Sequence, residues 1–215
     1  TETAEKGTDV LVWCDDAYFG LDYEDSIEVE SLFARLANAH ERILAVKIDG
    51  PTKEDYVWGL RTGFLTFGSK GMTDAQYDAL IKKLMGAIRS SVSCAAAPSQ
   101  SLMLKVLADP RTEGEKLEFR KMLEERYAVV RAFRDVQKNH PVLSTLSFNS
   151  GYFMSMKCSG VPAEELRLKL LHEHGIVSIA IDPTHLRVAF SSVDTGKLES
   201  VFQTIFDVAE KMLSK

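Results

Sequence analysis

Cysteine is scarce in this chain. Cys14, Cys94 and Cys158 are the only three in 215 residues, and their odd number and wide spacing exclude a disulfide framework or a CxxC metal site. They fit a reduced, cytoplasmic setting. Positive charge is in deficit, with 26 lysines and arginines against 31 aspartates and glutamates for a formal net charge of −5. No basic surface for nucleic acid or an anionic membrane is therefore expected. No apolar run approaches the roughly 18 residues of a membrane span, and the opening "TETAEKGTDV" lacks the basic-then-apolar pattern of a signal peptide. The 5 histidines form no cluster. His172 and His174 fall near the end of a helical pattern, where the helix dipole accounts for them better than a metal does, so no metal site is expected. There is no internal repeat and no low-complexity tract. What is left is an ordinary globular composition, long enough to bury a core in one or two domains.

"TETAEKGTD" reads as the last turn of a helix stopped by Gly7, with only six residues before that glycine, so the chain is expected to begin in the middle of a domain. "DVLVWC" (9–14) is a short continuous apolar run that suits a strand buried on both faces. "SIEVESLFARLANAH" carries Ile27, Leu32 and Leu36 at helical spacing, and "RILAVKI" (42–48) is apolar and β-branched again. Strand, helix, strand predicts a βαβ unit and a parallel sheet, whose ligands sit beyond the carboxyl ends of its strands. The first of those ends runs into "DDAYFG" (15–20) and the second into "DGPTK" (49–53), which would bring an acid, a tyrosine and a lysine to one sheet edge.

"GFLTFG" (63–68) predicts a further strand, and "TDAQYDALIKKLMGAIRS" (73–90) an amphipathic helix opened by a Thr/Asp cap. The small, polar "CAAAPSQ" (94–100) is followed by a short helix and then a long one over 112–138, rich in acid/base pairs three or four apart. Beyond His140 the pattern alternates as strands, "STLSFNSGYFMSMKC" (144–158) and "VSIAID…LRVAFSS" (177–192). Helices are expected between and after them, at "PAEELRLKLLHEHG" and "TGKLESVFQTIFDVAEKMLSK". The chain is thus expected to be α/β over 1–108, joined by the long helix to a smaller α+β domain over 109–215.

"DDAYFGL", then "TKEDYVWGLRTGF", and much later "HLRVAFSSV", resemble the C-terminal half of the pyridoxal-phosphate-dependent aminotransferases of class I/II, the aspartate aminotransferase superfamily. The shared pattern is Asp-x-Ala-Tyr at a strand end, a Schiff-base lysine, an arginine eight residues after it within Gly-x-Arg-x-Gly, and a late carboxylate-binding arginine. The resemblance covers the whole chain. It implies a partial three-layer large domain of the pyridoxal-phosphate (PLP) transferase type, with a mostly parallel sheet, and a small C-terminal domain. It further implies an amino-group transfer between amino acid and keto acid through a PLP Schiff base on Lys53.

The resemblance also assigns roles. Lys53 would hold the cofactor and move a proton as general base and acid. Asp15 would pair with the pyridinium nitrogen, which keeps the ring an electron sink, with Asp16 as the alternative. Tyr18 would hydrogen-bond the ring's phenolic oxygen, unless it is a plain core tyrosine. Arg61 would bind the phosphate with its planar fork, with Gly59 and Gly63 letting the backbone pass close, unless it only makes a surface ion pair. Where many relatives carry a phosphate-binding serine three residues before the lysine, this chain has Gly50, and Thr52 is the residue that could take over part of that contact. Arg187, in an apolar strand pattern, would receive the substrate's α-carboxylate, or else a structural ion pair. Lys47 is a second lysine near the strand end but lacks an arginine at the matching gap. Relatives are homodimers, and the stretch 93–100 resembles the one that reaches across. The family's N-terminal half cannot be placed in this sequence, so the chain is expected to be a fragment, inactive by itself. Another chemistry on the same fold, a C–S lyase, decarboxylase or condensing enzyme, would use the same residues.

Overall fold

A computed structural model describes residues 1–214. The chain forms two compact units, one of Thr1–Asp22 and Ser26–Lys116, the other of Tyr23–Asp25 and the residues from Leu117 onward. Both mix helix and strand, as expected for an α/β chain.

In the first unit a short helix α1 (Glu2–Glu5) gives way at Gly7, whose φ of +88° ends the turn. Strands β1 (Val10–Asp15) and β2 (Ile43–Asp49) pair in parallel, from Val10 opposite Ile43 to Asp15 opposite Ile48. Strand β3 (Phe64–Gly68) pairs antiparallel on the other side of β2, with Phe64 opposite Asp49. β2 is the central strand, and Ile43, Ala45 and Val46 are buried.

Two expectations change here. The run 9–14 is not buried on both faces, since Cys14 is buried but Leu11 and Trp13 are 52% and 61% exposed. β1 is an edge strand, and the helical layer lies on the face of Cys14 and Gly68, where a Cβ on Gly68 would stand 2.6 Å from that of Ala37. The helix expected over 26–40 shrinks to α2 (Leu32–Leu36). Ser31 is extended (φ −62°, ψ 135°) and its Oγ accepts the Phe33 N–H at 3.1 Å, so the helix is capped and begins there.

Helix α3 (Pro51–Glu54) is a single turn between β2 and β3, followed by a 3-10 turn at Trp58–Leu60. α4 (Asp74–Ser91) opens where the Gln76 side chain accepts the Thr73 N–H at 2.8 Å. α5 (Ala97–Ala108) takes in half of the small, polar stretch 94–100, because Pro98 sits in its first turn, where a missing N–H costs nothing. α6 (Thr112–Val136) carries the chain from the first unit into the second after Lys116.

The second unit has an antiparallel sheet in the order β4 (Leu143–Thr145), β5 (Phe153–Cys158), β7 (His185–Ala189), β6 (Ile179–Asp182). The main helices are α6, α7 (Ala163–His174) and α8 (Thr195–Leu213). β5 and β7 alternate cleanly, placing Met154, Met156, Leu186 and Val188 in a core with Leu166, Leu170, Leu198, Phe202 and Phe206. At about 1.5–3 kcal/mol per large apolar side chain removed from water, this cluster is the main source of the unit's stability. Alternation also sets Arg187, between Leu186 and Val188, on the opposite face of the sheet. The three-residue piece 23–25 belongs here through its side chains. Tyr23 OH donates to the Gly151 carbonyl at 2.9 Å, and Glu24 meets both Tyr127 OH and, at 3.0 Å, Arg131. Burial, reinforced by the bond to Glu24, pushes the Tyr127 phenol up to about 12.

Candidate active site

The parallel pair β1 and β2 ends in two polar loops. Asp15 closes β1; it is exposed, and its Oδ1 accepts the Ala17 N–H at 3.2 Å, which turns the chain away from the sheet. Asp16 extends the ladder by donating its N–H to the Ile48 carbonyl at 2.9 Å, and its carboxylate accepts the Ser31 hydroxyl. Of the two neighbouring acids, Asp16 is thus engaged with the loop before α2, and Asp15 faces solvent. Tyr18 follows on the same loop, with Lys53 Nζ 5.1 Å from its ring centroid. The structure therefore brings Tyr18 and Lys53 together and sets Asp15 at the end of the strand that leads to Tyr18.

Lys53 and Arg61 both belong to the excursion 50–63 between the paired residues Asp49 and Phe64. Its neck is closed backbone against backbone. A Cβ on Gly50 would stand 2.9 Å from both the Gly63 Cα and the Thr62 carbonyl oxygen, so a serine at position 50 has no room without moving the chain. Within the loop Tyr56 (φ +57°) and Arg61 (φ +53°) are both left-handed. For a non-glycine residue this costs on the order of 1–3 kcal/mol, sustained only where the surroundings fix the chain. Arg61 is exposed, and its Nη1 donates to the Trp58 carbonyl at 3.2 Å. Thr52 is half-buried beside Lys53, and among the described residues its hydroxyl has no hydrogen-bond partner.

The sequence reading missed the charges around Lys53. Lys47 and Asp49 lie two apart on one face of β2 and form an ion pair, with the Lys47 ammonium 4.9 Å from the Phe19 ring. The hydrogen bond that Lys47 donates to Asp49 holds its amine above its ordinary range against the pull of burial, which disfavours it as a nucleophile. Asp55 Oδ1 accepts from Lys116 Nζ at 2.9 Å. Burial pushes the Glu54 carboxyl up, and its neighbour Asp55 adds to the effect. The i, i+2 spacing of Lys47 and Asp49 on a strand is a legible signal for the first pair. The 61 residues between Asp55 and Lys116 leave none for the second.

Arg187 lies in the second unit. Its guanidinium carbon is 4.5 Å from the Phe153 ring centroid, its Nε is buried without a hydrogen-bond partner, and no carboxylate among the described residues pairs with it. No group of three or more His, Cys, Asp or Glu among the described residues could hold a metal ion, and no described helix is long and apolar enough to cross a membrane.

A family profile for aminotransferase class I and II matches residues 2–205. No curated protein sequence matches. Among solved structures, an aminotransferase from Anaerococcus prevotii is 19% identical with a TM-score of 0.76, over 98% of this chain and 49% of that one. LysN, the α-aminoadipate aminotransferase of Thermus thermophilus, complexed with N-(5'-phosphopyridoxyl)-L-leucine, is 18% identical with a TM-score of 0.74, over 99% and 53%. The kynurenine aminotransferase of Pyrococcus horikoshii is 16% identical with a TM-score of 0.72, over 99% and 50%. The chain thus spans about half the length of the structures it matches, and at these identities the likeness is one of fold.

Proposed function

The chain belongs to the class I and II aminotransferases, and on that footing we propose that it carries the catalytic lysine of an enzyme that moves an amino group between an amino acid and a keto acid. In this reading residues 1–108 are the C-terminal part of a PLP-binding large domain and 109–215 the small domain. The observation that carries it is the meeting of Lys53 Nζ with the Tyr18 ring at 5.1 Å, beyond the end of the strand that closes on Asp15.

The residues fit the cofactor group by group. An amine, a phenol, an exposed carboxylate and a guanidinium answer the aldehyde, phenolic oxygen, ring nitrogen and phosphate of PLP, and Thr52 brings a hydroxyl with no other partner among the described residues. When bound, PLP supplies the electron sink that makes a substrate α-proton acidic. The Asp15 carboxylate holds a proton at the ring nitrogen. Tyr18 donates its hydroxyl hydrogen toward the phenolic oxygen. Arg61, with Thr52, anchors the phosphate. Lys53 Nζ would hold the cofactor's aldehyde carbon and, once the substrate's amine takes its place there, would be free to carry the proton away from the substrate α-carbon. Arg187 holds the substrate's α-carboxylate through the fork whose Nε is left buried without a partner. The active enzyme is a cytoplasmic homodimer in this reading, with the segment 93–100 reaching toward the neighbour.

The test is a turnover assay of this chain, and of a longer polypeptide containing it, with PLP, a panel of amino acids and 2-oxoglutarate. Keto acid and glutamate formed in equal amounts by the longer polypeptide, and abolished by Lys53→Ala, support amino transfer. Release of carbon dioxide, ammonia or sulfide without glutamate would replace it with decarboxylation or elimination on the same residues.

A further inference from the structure

The loop 50–63 poses a mechanical problem. Its neck is fixed by the Asp49–Phe64 pair and by the backbone contact of Gly50 with Gly63. Lys53, however, sits on the four-residue helix α3, far too short to hold its shape alone. The turn ends at Asp55, whose N–H donates to the Pro51 carbonyl at 3.0 Å, and the next residue, Tyr56, is left-handed. Something outside the loop must hold this point.

The Asp55 side chain is only 10% exposed and points at Lys116, itself 27% exposed, in the first turns of the 25-residue helix α6. We propose that Asp55 is a positioning residue, whose ion pair with Lys116 clamps the 50–63 loop to the start of α6 and so fixes where Lys53 is presented. The proposal rests on the reading of Lys53 given above for what that lysine does, but not for the clamp itself. A carboxylate so buried would be costly without its cation, so the pair forms wherever the loop has its native shape. Burial lowers the tendency of Lys116 to hold its proton, yet the hydrogen bond and charge of Asp55 more than offset this, and the amine stays above its ordinary range. The Lys116 ammonium thus keeps its proton to a higher pH than an ordinary lysine does. Glu113, on α6 itself, and Glu54, next to Lys53, are further carboxylates within the field of Lys116.

The experiment compares the chain with Asp55→Asn, Lys116→Met, Lys116→Arg and the exchange pair D55K/K116D. Amide hydrogen exchange is followed residue by residue, together with labelling of lysines by PLP and borohydride. Asp55→Asn and Lys116→Met are expected to lower protection of the Lys53–Val57 amides by about tenfold, the loss of one charged hydrogen bond, while β1 and β2 amides are unchanged. The share of label on Lys53 should fall alongside, and Lys116→Arg should restore both. Unchanged protection at 53–57 in Asp55→Asn would overturn the clamp, and so would an equal loss across the whole first unit, which is what a merely structural pair would give. The exchange pair guards against a variant that loses its fold. If even the native chain takes no label at Lys53, the reading of that lysine fails, whereas hydrogen exchange still decides the clamp.

Discussion

Gly50 shows how a single absent atom can shape a site. The motif position three residues before the lysine favours a serine in relatives, and its replacement reads in the sequence only as a missing contact. The structure supplies the reason, because any Cβ there meets backbone atoms of Thr62 and Gly63 at 2.9 Å, which cannot swing aside as a side chain would. Gly50→Ala is therefore expected to destabilise the first unit by about 1–3 kcal/mol, the usual cost of overpacking. Gly59→Ala, where nothing lies within 4 Å, should stay within about 1 kcal/mol. Denaturant unfolding of both variants checks this, and equal effects would mean that the neck is not closed. The motif residues themselves could be picked out in the sequence because the family resemblance ties them to one cofactor. Of the ion pairs nearby, Lys47 with Asp49 carries a local i, i+2 signal, but Asp55 with Lys116 does not, because a salt bridge across 61 residues leaves no local pattern.

Elements were read best where periodicity and caps agree. α4, α7, α8 and β7 come out within a few residues of their predicted bounds, whereas the single stretch 144–158 divides into β4 and β5. α2 did not, because Ser31 caps it in mid-pattern. The start of β4 holds a feature that no periodicity announces. His140 Nδ1 accepts the N–H groups of Leu143 at 2.9 Å and Val142 at 3.3 Å, and its ring stands edge-on to Phe206 at 4.8 Å. Accepting at Nδ1 requires the neutral ring, and burial lowers its pKa from the usual value, against the opposing pull of Glu210 and Asp207 on α8. A histidine whose folded pKa lies below the unfolded one contributes stability above about pH 6.5, lost as pH falls through the folded value. The second unit should therefore lose stability as the pH is lowered from about 7 to about 5. His140→Asn, which keeps an acceptor but does not titrate, should flatten that slope in urea unfolding. Identical slopes would contradict the role of the ring.

At the scale of the molecule, the sequence anticipated a mixed α/β chain whose site residues come from widely separated stretches. Asp15, Tyr18, Thr52, Lys53 and Arg61 fall in one unit and Arg187 in the other. The exposure of Leu11 and Trp13 on β1 was not anticipated, since an apolar run reads the same whether its second face is covered or bare, and only what packs on that face decides. The half-length match to solved aminotransferases leaves one question above the others, whether this chain alone presents a competent lysine. The direct measurement is to add PLP, reduce with borohydride, and map the modified residues by peptide mass spectrometry in the native chain and in Lys53→Ala. Label concentrated on Lys53 and lost in the variant is the expected result, with Lys47, held charged by Asp49, left unlabelled. Label spread over surface lysines, or concentrated on Lys47, would contradict the assignment of Lys53.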